Sequence, residues 1–306
     1  MLHCNNAILQ NQSSLKIMIK QTVQFKVILK NTIIICFAVL LLIGGSEAKS
    51  KYASIIIDLD SGKVLHTVNA TTKNYPASLT KMMTVYLIFE QVQNSILSTN
   101  SLITISARAS RQPRSKLWLE PNSKITLDKA ILALIIRSAN DVAVAIAEHI
   151  SGSEKAFARL MTEKAQELGM KNTTFKNASG LPNRAQLSTA EDLALLASQL
   201  TKEFPSLYKY FSKTDFKLNG NIYRGHNKFL QKYPGADGLK TGYIRASGYN
   251  LAGSAVNHNI RLVGVVLGSK SAKERDRHLS SLMTKAFASV IEKQLPPHPN
   301  YKPQLY

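Results

Sequence analysis

β-Branched runs stand at both ends of the chain, and helical periodicity fills the space between them. Ala53 to Asp58 (ASIIID) and Lys63 to Val68 read as two antiparallel strands around the turn signal Asp60-Ser61-Gly62. Thr214 to Leu218, Gly238 to Ile244, Tyr249 to Val256 and Arg261 to Leu267 read as strands toward the other end. After Pro76, the apolar stretch Leu79 to Phe89 reads as a buried helix. The pattern from Thr126 to Ile150 is helical, with Leu127, Ala130, Ile131, Leu134 and Ile135 on one face. Glu154 to Leu168 predicts a helix closed by Gly169, and Ser188-Thr189-Ala190-Glu191 fits a capping box that opens a helix to Leu200. Glu274 to Gln294 predicts a closing amphipathic helix, ended by Pro296-Pro297. Strands split between the two ends pair only if the chain returns on itself. The pattern therefore predicts an α+β fold: an antiparallel sheet with strands from both termini, flanking helices and an inserted helical lobe. No repeat or Pro/Gly/Ser-rich linker divides it.

The first 48 residues read differently. Lys16, Lys20, Lys26 and Lys30 precede the apolar run Ile33 to Ile43, which is about half the length of a bilayer-spanning helix. Gly44-Gly45 and Ser46-Glu47-Ala48 follow. A basic stretch, a short apolar run and a small-x-small site predict a secretory signal peptide cut after Ala48, with an uncleaved anchor as the alternative. Both cysteines, Cys4 and Cys36, lie in this segment, so residues 49 to 306 hold no thiol for a disulfide or metal site. Losing four lysines and one acid takes the net charge from +20 to +17. Hydrophobic residues make up 44% of the 306, enough for a packed core and too many for a disordered chain. The expected division is a signal peptide over 1–48, one catalytic domain over 49–295 and a loose tail over 296–306.

Three short motifs carry chemistry. In Ser78-Leu79-Thr80-Lys81 the serine stands at a predicted helix start, where free N–H groups favour developing negative charge. Lys81, three residues on, shares its helix face. An amine there serves as a base only if burial or neighbouring cations lower its pKa. Ser138-Ala139-Asn140 follows 60 residues after Ser78: a hydroxyl able to relay a proton, and an amide able to hold a substrate amide. Lys240-Thr241-Gly242 comes 100 residues after Asn140 on a predicted strand. It offers a cation, a hydroxyl donor and a residue that lets a ligand backbone lie close. Each motif alone has a bland reading: Ser78 as an N-cap, Lys81 as a solvated helix lysine, Ser138 and Asn140 as a helix-end turn, Lys240-Thr241-Gly242 as a strand-to-turn. Their joint order and spacing are far more specific than any one motif.

The set resembles the serine D-alanyl-D-alanine carboxypeptidases, the low-molecular-mass penicillin-binding proteins. The resemblance extends through Ala77 to Thr84, Leu168-Gly169-Met170 with Thr174-Phe175, Gly180-Leu181-Pro182 and Asp237 to Gly242, and covers nearly all of residues 50 to 293. It implies a β-lactamase/penicillin-binding-protein transpeptidase-like fold and no cofactor. It implies that Ser78 attacks the penultimate D-Ala carbonyl of a peptidoglycan stem peptide, with Lys81 as base and Ser138 moving the proton to the leaving D-Ala. The Ser78 N–H and that of Tyr243 would form the oxyanion hole. Lys240, Thr241 and Arg275 would hold the terminal carboxylate, with Lys273 and Arg277 as competitors of Arg275. β-Lactams would acylate Ser78. The implied location is exported: the periplasm or the outer face of the cytoplasmic membrane.

The sequence departs from the family at His226-Asn227-Lys228-Phe229-Leu230, which matches an N-x-L-L stretch only in part, and at Ser179-Gly180, where many relatives have His-Gly. Neither is expected to touch the three motifs. Many relatives add a C-terminal β-rich domain and an amphipathic anchor, and the 11 residues from Pro296 onward predict neither. Rival readings are a D,D-endopeptidase that cuts cross-links, a β-lactamase and a non-catalytic wall-binding protein. The β-lactamase reading lacks an E-x-x-L-N loop after Ser138. The histidines show no metal spacing, so no metal is expected. The basic stretch Lys270 to Arg277 contains two acids and no aromatics, which disfavours nucleic acid as a partner.

Overall fold

The computed structural model describes residues 52–294. The expected signal peptide over 1–48 and the tail over 296–306 lie outside them. A five-stranded antiparallel sheet is built from β1 (Ala53–Asp58), β2 (Val64–Val68), β7 (Ala236–Ile244), β8 (Gly248–Asn257) and β9 (Ile260–Ser269), in the order β2-β1-β9-β8-β7. Strand β1 lies between β2 and β9, pairing Ile55 with Thr67 on one side and Val265 on the other. The two ends of the domain therefore meet in mid-sheet, as the split strand pattern requires. Two short pairs stand outside this sheet: β3 (Leu102–Thr104) with β4 (Lys124–Thr126), and β5 (Asp215–Leu218) with β6 (Asn221–Arg224). The strand expected over Thr214 to Leu218 thus belongs to a separate hairpin.

Alternation along the strands divides the core in two. Ile55, Ala252, Val263, Val265 and Leu267 face the larger cluster, shared with the helical lobe. Ile56, Leu251, Ala255, Leu262 and Val266 face the other way, onto Leu279, Met283 and Phe287 of the closing helix Ala272–Gln294. Gly253 and Gly264 pair across β8 and β9 on that face. A Cβ on Gly253 would come within 2.6 Å of Leu279 and 2.8 Å of Phe229, so the helix lies closer than any side chain there would allow.

The lobe is assembled around helix α1 (Lys81–Gln93), whose residues from Lys81 to Phe89 are all buried. Helices α2 (Asn140–Ser151), α3 (Glu154–Glu167) and α4 (Ala190–Glu203) complete it. Ser153 caps α3 by accepting from the Ala156 N–H at 3.2 Å. Gly169 closes it in the left-handed region, as expected. The cap of α4 is one residue later than the capping-box reading placed it: Thr189, not Ser188, accepts from the Asp192 N–H at 3.0 Å. Ser188 instead bonds the Thr173 hydroxyl at 2.8 Å, within a network that ends on Asp192.

The largest departure concerns Thr126 to Ile150. One continuous helix is replaced by a short α-helix, Leu127–Leu132, a π-helical turn, Ala133–Arg137, and a break before α2. Ser138 is left-handed (φ 60°) and Ala139 is extended. The apolar periodicity continues across the break, so hydropathy does not reveal it. What holds it is tertiary: the Asn140 N–H donates to the Ser115 carbonyl at 2.7 Å, and the Ser115 hydroxyl donates to the Arg137 carbonyl at 2.7 Å. A π-turn of this kind commonly re-aims side chains at a functional site.

Replacing Gly253 by Val should force the closing helix off the sheet. The expected cost is about 1–3 kcal/mol from overpacking, read as a lower urea midpoint with an unchanged slope. An unchanged midpoint would mean that the Gly253–Gly264 seam does not set the helix height.

Candidate active site

Ser78 sits in a 3-10 turn, Ala77–Thr80, that runs directly into α1. Ala77 before it is left-handed (φ 50°), an uncommon state for a residue with a Cβ. The Lys81 N–H closes the turn onto the Ser78 carbonyl. Burial of α1 then takes the Lys81 side chain out of water, leaving it 1% exposed.

A buried amine needs partners. Lys81 Nζ donates to Asn140 Oδ1 at 2.8 Å and to the Ser179 carbonyl at 2.5 Å. Burial, with the Lys240 charge second, holds its pKa well below the ordinary lysine value, while Asp141 and Glu154 pull weakly the other way. A neutral amine has two N–H bonds and one lone pair. Two acceptors are already supplied, so the neutral form keeps its lone pair for an incoming proton.

Asn140 has a fuller partner set than a substrate-amide role implies. Its Nδ2 donates to the Pro113 and Arg114 carbonyls at 3.0 and 3.1 Å, and its oxygen serves Lys81. Both donors are therefore committed within the protein, and only one acceptor lone pair is left. Ser138 differs: its Oγ is buried and has no hydrogen-bond partner.

Ser179-Gly180 was expected to stand apart from the motifs, and the fold brings it to them. Besides the Ser179 carbonyl on Lys81, Gly180 is left-handed, and a Cβ on it would lie 1.9 Å from the Ala77 oxygen. Asn177 Oδ1 holds the loop by accepting from the Gly180 N–H at 2.7 Å. No motif marks Ser179 as a partner of Lys81, or Asn177 as the residue that holds its loop. The one signal in the sequence is Gly180-Leu181-Pro182.

Strand β7 supplies the opposite wall. A Cβ on Gly242 would meet the Ser78 nitrogen at 3.0 Å and the Leu79 side chain at 2.9 Å, so this edge strand lies against the serine turn. Tyr243, the next residue, is exposed, its ring 4.4 Å from that of Tyr249. Lys240 is buried; Nζ donates to the Thr241 carbonyl at 3.0 Å. Burial and the nearby Arg275 guanidinium push its pKa down to about 7. Arg275 is held by Asp276 at 2.7 Å, and it lines the cleft, whereas its competitors Lys273 and Arg277 are exposed. Ser78, Ser138, Asn140, Thr241, Gly242, Tyr243 and Arg275 all border one cleft of about 400 Å3. Among the described residues, no group of three or more His, Cys, Asp or Glu is placed to hold a metal ion.

A serine hydroxyl and an arginine in one cleft, with a buried amine one helical turn from the serine, fit acyl transfer to a substrate bearing a carboxylate. The family model described as D-alanyl-D-alanine carboxypeptidase (Peptidase_S11) matches residues 45–271. The chain belongs to this family. Similar proteins of the D-alanyl-D-alanine carboxypeptidase family include DacF of Bacillus subtilis (strain 168), 37% identical over 261 residues, covering 84% of this chain and 65% of that one. Penicillin binding protein 5 from Haemophilus influenzae superposes with a TM-score of 0.75 at 34% identity, over 77% of this chain and 70% of that one. Penicillin-Binding Protein D2 from Listeria monocytogenes, in its cefotaxime-bound form, superposes with a TM-score of 0.70 at 30% identity, over 77% and 96%. The chain spans 60 to 65% of the length of the first curated relatives it matches. The antiparallel sheet with flanking helices and lobe is the penicillin-binding-protein fold that the sequence predicted.

Asn140→Ala removes an acceptor from buried Lys81 and two donors from loop carbonyls. Stability at pH 7 should fall by about 1–3 kcal/mol, the cost of leaving buried polar groups unpaired. Adding Lys81→Met should recover part of that loss, because no buried amine then needs a partner. Denaturant melts of the three proteins check this; a double variant weaker than Asn140→Ala alone would contradict it.

Proposed function

We propose that this chain is a serine D-alanyl-D-alanine carboxypeptidase that removes the terminal D-Ala of peptidoglycan stem peptides. Residues 49–295 form its catalytic unit. The observation that carries the reading is the placement of Lys81: one helical turn from Ser78, buried, with two fixed acceptors and a lowered pKa.

In this reading the neutral Lys81 amine takes the Ser78 proton as Oγ attacks the penultimate D-Ala carbonyl. The Ser78 and Tyr243 N–H groups hold the developing oxyanion; preorganised donors of this kind are worth several kcal/mol. Ser138, with its unused buried hydroxyl, passes the proton to the departing amine. The terminal D-Ala leaves, Ser78 stays acylated, and water then hydrolyses the ester. Lys240, Thr241 and Arg275 hold the terminal carboxylate. Asn140 acts chiefly by fixing Lys81, with its remaining lone pair open to a substrate N–H. β-Lactams are covalent inhibitors at Ser78, in keeping with the antibiotic-bound relative. The substrate lies outside the cytoplasm, and the first 48 residues read as an export signal. Both support action in the periplasm or at the outer face of the cytoplasmic membrane.

Fluorescent penicillin should label the wild-type protein and leave Ser78→Ala unlabelled. The wild type should release free D-Ala from pentapeptide monomers. Labelling that persists in Ser78→Ala would sink the nucleophile assignment. Conversion of cross-linked dimers to monomers with no D-Ala released would replace the carboxypeptidase by an endopeptidase.

The Lys240 pKa gives a signed pH dependence. The ammonium binds the carboxylate and is charged below about pH 7 in the free enzyme. It is lost as pH rises through that value, so kcat/KM should fall on an alkaline limb beginning near pH 7. Arginine stays charged, so Lys240→Arg should abolish the limb whatever its absolute activity. The same limb in that variant would assign the titration to another group.

A further inference from the structure

Besides Arg275, two arginines line the cleft: Arg114, which lies over the Trp118 ring at 5.2 Å, and Arg137. Arg137 ends the π-helical turn, one residue before Ser138, and lines the same cleft. Its NH1 lies 3.2 Å from His226 Nε2. Arginine is always a donor, so His226 accepts there and is neutral. Burial and the charges of Arg137, Lys240 and Lys228 hold the His226 pKa below its ordinary value, consistent with that role. Arg137 Nε is buried without a hydrogen-bond partner. Among the described residues no carboxylate pairs with this guanidinium, whereas Arg275 has Asp276 and Arg108 has Glu154. Arg137 is thus a positioned cation, held by a neutral acceptor and left without an anion.

Position decides which anion it meets. In the proposed reaction Ser138 delivers a proton to the amine of the departing amino acid. In an α-amino acid only one carbon separates that nitrogen from the carboxyl carbon. Arg137 and Ser138 border the same cleft, which puts this guanidinium on a wall that the leaving group's carboxylate would face. Lys240 on β7 and Arg275 on the closing helix would approach that carboxylate from the sheet side, and Arg137 belongs to the lobe wall. We propose that Arg137, positioned by His226, is a specificity-determining residue that clamps the free terminal carboxylate of the leaving D-amino acid from the lobe side. This rests on the carboxypeptidase reading and deepens it. A two-sided clamp selects peptides ending in a free acid over peptides that continue or are capped at that position.

The test compares N-acylated D-Ala-D-Ala with its C-terminal amide, and benzylpenicillin with its methyl ester, on wild type, Arg137→Gln and Arg137→Lys. A lost charge-assisted hydrogen bond should raise KM for the free acid, and slow benzylpenicillin acylation, by roughly tenfold to a hundredfold in Arg137→Gln. The amide and the ester should be little affected, so the acid preference shrinks for both pairs. Arg137→Lys should restore part of the preference. Equal losses on acid and neutral probes would make Arg137 a structural residue and overturn the inference, as would an unchanged acid preference. A wild type that releases no D-Ala yet is acylated by penicillin would instead defeat the carboxypeptidase reading, and the penicillin pair would still decide Arg137.

Discussion

The burial of one lysine amine organises this molecule. Leaving an ammonium in an apolar interior is costly, and its pKa falls until the neutral form competes. Lys81 can sit there because two segments distant in sequence converge on it. The break at Ser138 starts α2 at Asn140, whose oxygen faces the amine. The Asn177–Gly180 loop turns the Ser179 carbonyl inward. Asp141 and Glu154 lie farther off as a weak opposing field. Asp141 spends its carboxylate on the Leu117 and Trp118 N–H groups, and Glu154 on Arg108 and the Ala178 N–H. Neither forms an ion pair with Lys81, which would hold the amine charged and useless as a base.

Close backbone approach supplies the second constraint. The serine turn is gripped by Gly180 on one side and Gly242 on the other. Each stands where a Cβ would strike backbone atoms of Pro76, Ala77 or Ser78. Asn250 adds a tie from β8, donating to the Tyr75 and Pro76 carbonyls while accepting from the Gly268 N–H. Ser78 is thus fixed by main chain and amide contacts from sheet and loop together, and the left-handed Ala77 is held by the same grip.

Much of this was legible in the sequence where chemistry or periodicity is local. The split strands gave away the sheet closed by both ends of the domain. The spaced motifs identified residues that do meet in one cleft. What remained hidden is tertiary. The helix break at Ser138 is invisible to hydropathy, because apolar residues continue on both sides and the determinant is a carbonyl at Ser115. The structural role of Asn140 was hidden because nothing in a tripeptide shows that the Pro113 and Arg114 carbonyls will claim its donors. Ser179 acts through its backbone, so no side-chain motif could name it. Thr189 took the cap from Ser188 because Ser188 had a better partner across the loop in Thr173. Only the first strand of the β5–β6 hairpin was expected, although Asn219 and Gly220, left-handed at its turn, are a hairpin signal.

The cleft's cations divide by chemistry rather than by charge alone. Lys240 is desolvated and faces another cation, so its proton is held loosely, near neutrality. An anion arriving beside it would raise its proton affinity and be bound together with a proton. Arg275 and Arg137 cannot respond in this way, because guanidinium does not titrate in the usable range. Arg275 is partly neutralised by Asp276; Arg137 has no carboxylate partner among the described residues. The arrangement therefore combines a cation whose charge follows ligand occupancy with one whose charge is fixed. A site of guanidiniums alone would hold its anion without coupling to the proton economy of Lys81. A site of lysines alone, packed this tightly, would lose its charge before the anion arrived.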